Sequence, residues 1–286
     1  MDNLKAKKRH PEEIAVYSAI YVCAAFSVLL LLGIIIYVFA KGARRVNWAF
    51  LTGVTSILHG TVGIAGNILN TLIIILLTMI ITTPIGVGAA IYLNEYAKPG
   101  KLVTVIIFAT ETLAGIPSII FGLFGMLFFG QLCHMGYSLL TGSLTLTLMV
   151  LPLVTRNTQE ALKTVPDSFR TGAVGLGAGK WYTIRTILLP SAMPGIVTGV
   201  ILAIGRIIGE SAALLFTAGS AHLLTKTFDA FLEKIFHSGG TLTIQLYLSA
   251  SKGEFEVAFG IAVVLLVIVL LINFGTKRLA KKLEKH

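Results

Sequence analysis

The stretch RNTQEALKTVPDSFRTGAVGLGAGKWYTIRTILLP, residues 156–190, separates two apolar runs and is too patterned for a slack linker. Pro166 can open a helix, with Asp167 in a first turn where an acid suits the helix dipole. Phe169, Ala173, Val174 and Leu176 can form an apolar patch, and Gly177 and Gly179 then break the helix. A second short helix from about Trp181 runs into Leu189-Pro190. The glycines do not make a nucleotide cradle. A Walker A loop ending at Gly179-Lys180 needs glycine where Val174 stands, and Trp181 follows the lysine. A dinucleotide fingerprint from Gly175 and Gly177 needs glycine at Lys180.

Outward from this segment, the chain reads as membrane protein. Of 286 residues, 55% are hydrophobic and 13% charged, against about 25% charged in soluble domains. Apolar runs near the roughly 20 residues that cross a bilayer recur. Six spans are expected, at about 15–40, 67–93, 103–129, 138–155, 193–218 and 257–275, giving an all-α polytopic fold. The tails are 1–14 and a basic 276–286, the transmembrane domain is 15–275, and the inner loop is about 156–192. The first run is too long for a signal-peptide core. With the N-terminus inside, sixteen Lys and Arg fall in inner segments and six in outer ones. That bias places both termini in the cytoplasm, although Lys41, Arg44 and Arg45 oppose it. The net charge of +10 therefore reflects topology rather than nucleic-acid binding. Cys23 and Cys133 have no metal-ligand spacing and read as unpaired thiols, and no metal site or catalytic constellation is expected.

Helix breakers dot the spans: Pro84 with Gly86 and Gly88 interrupts the second, Gly115, Pro117, Gly122 and Gly125 lie in the third, and Pro152 lies near the end of the fourth. Such residues serve close helix packing, and equally a bundle that rocks between two states. Two outer segments read as interfacial: NWAFLTG, with Trp48 and Phe50, and the amphipathic LLTKTFDAFLEKIF from Leu223 to Phe236.

The spacing of the inner loop resembles the EAA loop of ABC-transporter permeases: Glu-Ala-Ala, three residues, Gly, nine residues, Ile, one residue, Leu-Pro. Ala173, Gly177, Ile187, Leu189 and Pro190 fit it. Thr171 and Gly172 occupy the first two positions, so the family's glutamate is missing. PIGVGAAIYLNEYAK (84–98), LAGIPSIIFGLFG (113–125), EALKTVPDSFR (160–170), GESAALLFTAG (209–219) and TLTIQLYLSAS (241–251) are similar to the phosphate-specific PstA permeases. The resemblance implies an ABC importer type I permease fold in a bacterial or archaeal plasma (inner) membrane, and a subunit without catalytic activity or cofactor of its own. It implies a second permease (PstC-like), a dimeric ATPase (PstB-like) that binds ATP and Mg, and an external phosphate-binding protein (PstS-like). The residues that would couple to the ATPase are Asp167, Arg170, Thr171, Gly172 and Ala173, with Gly177, Ile187, Leu189 and Pro190 of the same loop.

GRIIGESAALLF, residues 205–216, puts ionisable groups inside the fifth span. Arg206 is about twelve residues from either end of 193–218, roughly 18 Å from each edge. A charge there costs on the order of 2.5–3.5 kcal/mol and should face protein or a wet path. Arg206 and Glu210, at i and i+4, share a face of a continuous helix and can pair, either as a structural lock or as a path for phosphate. A guanidinium matches phosphate oxygens in a planar fork and stays charged. Glu210 would offer it an alternative partner and keep anion binding reversible. The resemblance agrees, since the phosphate permeases carry a transport-linked arginine and a nearby acid in this span. Glu111 could pair with Arg206 or sit in a cavity facing the cytoplasm. Ser118 and Ser211 are hydroxyls for a polar path, though serines commonly bond their own helix backbone. An ABC permease for sulfate, molybdate or phosphonate, a transporter independent of ATP, and a signalling scaffold remain alternatives.

Overall fold

A computed structural model describes residues 11–56, 61–222 and 233–283. The chain starts with α1 (Pro11–Gly42), the short α2 (Trp48–Thr52) and a hairpin of β1 (Val54–Ser56) and β2 (Thr61–Ile64). Helices α3 (Ala65–Ile91), α4 (Lys101–Gly115), α5 (Ser118–Gly125) and α6 (Leu139–Lys163) follow. Then come α7 (Asp167–Gly175), α8 (Lys180–Thr183), α9 (Leu189–Gly209), α10 (Ala212–Thr217), α11 (Leu242–Ser251) and α12 (Phe255–Leu283). π-helical turns extend α3 through Tyr96, α5 through Leu132, and join α8 to α9. The fold is helical apart from the antiparallel hairpin, in which Val54 faces Ile64 and a bulge follows.

Among the described residues, five continuous helices are long and apolar enough to cross a membrane, and one bent helix pair brings the number to six at most. α1 has a mean hydropathy of 2.8 and none of its apolar window is buried within the chain. Such a surface cannot face water, so lipid or another apolar partner must cover it. The least apolar span, α6, at 1.5, is the one most enclosed by its neighbours. Three of its buried hydroxyls are satisfied locally, Ser143, Thr145 and Thr147 each donating to the carbonyl four residues back at 2.8 Å, whereas that of buried Thr158 has no partner among the described residues. α6 packs on α3 and α9 around Ile74, Leu146, Val150, Val154, Ile207 and Leu214.

Four expectations change. Pro84 and Pro152 lie inside unbroken helices, so the second and fourth spans are continuous. The third span breaks instead: α4 and the extended α5 meet at 103°. Pro117 has no N–H and holds Ile116 extended, at φ −73 and ψ 132, which stops α4. At 15 residues, α4 is about 22 Å long and cannot cross the hydrocarbon core alone. The inner loop is shorter than 156–192, because α6 continues to Lys163 and the fifth span begins at Lys180. The expected outer aromatic pair is also split. Trp48 is 77% exposed, whereas Phe50 is buried beside Ile64, Leu242 and Ile261. Residues 223–232 of the expected amphipathic segment lie outside the described residues.

The C-terminal ends of α3 and α6 lie together beside α7, because Arg170 of α7 bonds Glu95 and the carbonyl of Leu162. The start of α1 and the finish of α12 therefore share the α7 end of the bundle, and the end of α1 meets the start of α12 at the opposite end.

Candidate functional site

The loop helix is built from inside its own sequence. Pro166 precedes α7, and Asp167 sits in its first turn. Gly177 closes it: the Gly177 N–H donates to Val174 O, and the Ala178 N–H donates to Ala173 O. This Schellman closure needs a left-handed residue, and Gly177 has φ +82. Thr171 donates its hydroxyl to the carbonyls of Asp167 and Ser168 rather than projecting as a carboxylate would. Ala173 turns inward. Leu189 packs on a cluster of Leu162, Val165, Ile184 and Leu188, Ile187 is half-buried, and Pro190 opens the first turn of α9. These family positions make the loop's scaffold.

Its outward face is formed by other residues. Val174 is 65% exposed, Leu176 91%, and Trp181 and Tyr182 60% each. Thr171 and Gly172 are exposed beside them. Val174 and Leu176 precede the fifth span and Trp181 and Tyr182 open it, and an apolar face at this end of the bundle is suited to docking another protein.

Arg170 fixes the helix to the bundle. Its Nη2 and Nε donate to Glu95 Oε1 at 3.0 and 3.3 Å. Its Nη1 donates to Asp167 at 2.9 Å, and the carbonyls of Val165 and Leu162 take further bonds at 3.0 Å. The hydrogen bond to Glu95 pushes the Arg170 guanidinium up from its ordinary value, against the opposing effect of burial. Glu95 went unremarked in the sequence because nothing local links it to a residue 75 positions away.

The span residues separate. The helix holding Arg206 ends at Gly209, because Glu210 is extended at φ −82 and ψ 122. Arg206 lies in the last turn, where a cation suits the helix dipole. The expected shared face with Glu210 is therefore absent. The Glu210 carboxylate instead accepts from the N–H of Ala213, at 3.1 Å, in the first turn of α10. The hydroxyl of Thr243 donates to the Glu210 carbonyl at 2.9 Å. Arg206 is exposed and forms no ion pair among the described residues.

Glu111 does not meet Arg206. It lines a cavity of about 180 Å³ with Thr110, Arg156, Gln159, Glu160 and Lys163, at the α7 end. Ser118 and Ser211 flank the two breaks, half-buried, and neither hydroxyl bonds its own helix. The helices that follow the two breaks come together: a Cβ on Gly122 would lie 2.8 Å from the Cα of Ala213, so α5 and α10 pack backbone to backbone. Among the described residues no three His, Cys, Asp or Glu side chains gather as a metal site.

Residues 82–285 match the family described as binding-protein-dependent transport system inner membrane component. The chain is 35% identical to the probable ABC transporter permease protein YqgI of Bacillus subtilis, over 92% of this chain and 93% of that one. It is 34% identical to the phosphate transport system permease protein PstA of Xylella fastidiosa, over 84% of this chain and 82% of that one. Its fold is that of a chain in the crystal structure of a bacterial alginate ABC transporter, with a TM-score of 0.69, 13% identity, and 96% of each chain covered. A helical bundle with six spans at most, a capped loop helix with an apolar outer face, and these matches place the chain in the binding-protein-dependent transport family, the permease subunits of ABC importers.

Proposed function

We propose that this chain is the permease subunit of an ATP-driven importer of inorganic phosphate. Membership of the family carries with it an ATPase, a second permease and a binding protein. In the finer reading these are PstB-like, PstC-like and PstS-like. The chain itself is non-catalytic and holds no cofactor, and ATP and Mg sit in the ATPase. Both termini and α7 face the cytoplasm of a bacterial or archaeal cell, as the Lys and Arg bias favours.

The observation that carries the substrate assignment is Arg206, an exposed guanidinium without a carboxylate partner among the described residues, at a break in a span. With Glu210 committed to α10, its donors are free for a tetrahedral oxyanion. The two breaks, at Pro117 and at Glu210, provide backbone that can rearrange, beside the close packing of Gly122 on Ala213. Similarity to a relative named for phosphate transport favours phosphate over sulfate, molybdate or phosphonate. The family similarity likewise disfavours transport without ATP.

In the mechanism, the ATPase moves α7 through its apolar face. Arg170 passes that motion to the end of α3 through Glu95, and Ala173 and the packed loop carry it to α9. The spans then expose Arg206 alternately to either side. The test is phosphate uptake by the assembled transporter with arsenate or sulfate as competitor. Competition by arsenate alone, and loss of uptake without the ATPase, are expected. Uptake that persists without the ATPase, or equal competition by sulfate, overturns the reading.

A further inference from the structure

At the end opposite α7, the last turn of α1 and the first turn of α12 enclose a cavity of about 780 Å³. Lys41, Arg44 and Arg45 line it, against one carboxylate, Glu256. None of the three cations forms an ion pair among the described residues. The Nε of Arg45 is buried with no hydrogen-bond partner, while its guanidinium lies 5.9 Å from the Phe50 ring centroid. Tyr37 and Phe259 form an apolar wall, edge to face at 5.7 Å. This is the basic cluster that runs against the charge bias of the other loops, so topology does not account for it.

We propose that this cavity binds a phosphate-bearing anion, held as the headgroup of an anionic phospholipid. Three cations with one acid leave a surplus of two positive charges, of which a phosphodiester offsets one, and guanidinium groups match its oxygens. The cavity opens where two apolar spans end, which is headgroup depth. The exposed apolar length of α1 runs away from it and provides a bed for acyl chains. A free inorganic phosphate would use the cations and leave that apolar surface unused. The proposal goes beyond the transport reading and does not depend on what the importer carries.

The test is native mass spectrometry of the purified full transporter in neutral detergent, titrated with phosphatidylglycerol or phosphatidylcholine. The wild type should prefer phosphatidylglycerol. A Lys41→Gln, Arg44→Gln double variant should lose that preference by a factor on the order of thirty, from about fivefold for each basic residue. Arg45 is left in place because it packs on Phe50 and Gly260. Glu256→Gln should shift binding the other way, which keeps the test decisive if the double variant does not assemble. Equal binding of the two lipids, or a preference unchanged in the variants, overturns the proposal. Displacement of phosphatidylglycerol by added inorganic phosphate overturns the lipid assignment in favour of a free-phosphate site.

Discussion

Arg170 and Glu95, 75 residues apart, join the loop helix to the end of α3 through two bonds to one carboxylate oxygen. The Glu95 side chain is 8% exposed and that of Arg170 23%, so water screens the pair only partly. Glu95→Gln should cost about 1–2 kcal/mol, the scale of a charge-assisted bond with other partners remaining. Phosphate uptake should fall while ATP hydrolysis by the assembled transporter continues, and Glu95→Asp should restore part of the coupling. Uptake and hydrolysis falling in parallel would show that the pair only holds the fold.

The apolar outer face gives a separate prediction. Leu176 is 91% exposed in the isolated chain, so Leu176→Asp should leave its thermal stability unchanged. Burying a leucine in a partner groove contributes about 1.5–3 kcal/mol. Association with the ATPase, measured by co-purification or titration, should weaken by about tenfold or more.

The packing of α5 on α10 predicts a contrast between two glycines. A methyl on Gly122 meets the backbone of Ala213, whereas one on Gly115 meets nothing within 4 Å. Gly122→Ala should destabilise by about 1–3 kcal/mol, as overpacking does. Gly115→Ala should be neutral or slightly stabilising. Thermal unfolding of the two variants in detergent checks the difference.

His222 predicts acid sensitivity. Burial, and secondarily the charge of Lys252, push its imidazole below the ordinary value of 6.5. Its Nδ1 lies 3.1 Å from the amide nitrogen of Asn67, which can only donate, so this contact is a hydrogen bond only while Nδ1 is unprotonated. The unfolded chain therefore binds more protons below pH 6.5, and stability is lost as pH falls through that value toward the folded pKa. The wild-type melting temperature should drop more between neutral and mildly acidic pH than that of His222→Gln. Equal drops would remove His222 from the cause.

The legible parts of this fold were those carried by local pattern. Apolar runs located the spans, and the spacing from Ala173 to Pro190 located the loop and its Gly177 closure. What escaped depended on tertiary partners or on a broken helix. The i, i+4 pairing of Arg206 with Glu210 assumed a continuous helix, and no proline marks the point where Glu210 turns away to α10. Pro117 did mark a break, yet Pro84 and Pro152 carried the same local signal inside helices that stay whole. Packing chooses between those outcomes. The roles of the loop residues divided for a similar reason: spacing locates the helix but does not say that Ala173 turns inward while Leu176 faces out.

The most direct test of the account is the uptake of radiolabelled phosphate by cells carrying the whole transporter, comparing wild type with Arg206→Gln at matched membrane levels. Loss of a charge-assisted contact to the anion should lower uptake by about tenfold or more, with assembly and ATPase association intact. Wild-type uptake by the variant would contradict the account and reduce Arg206 to a charge at the end of a helix.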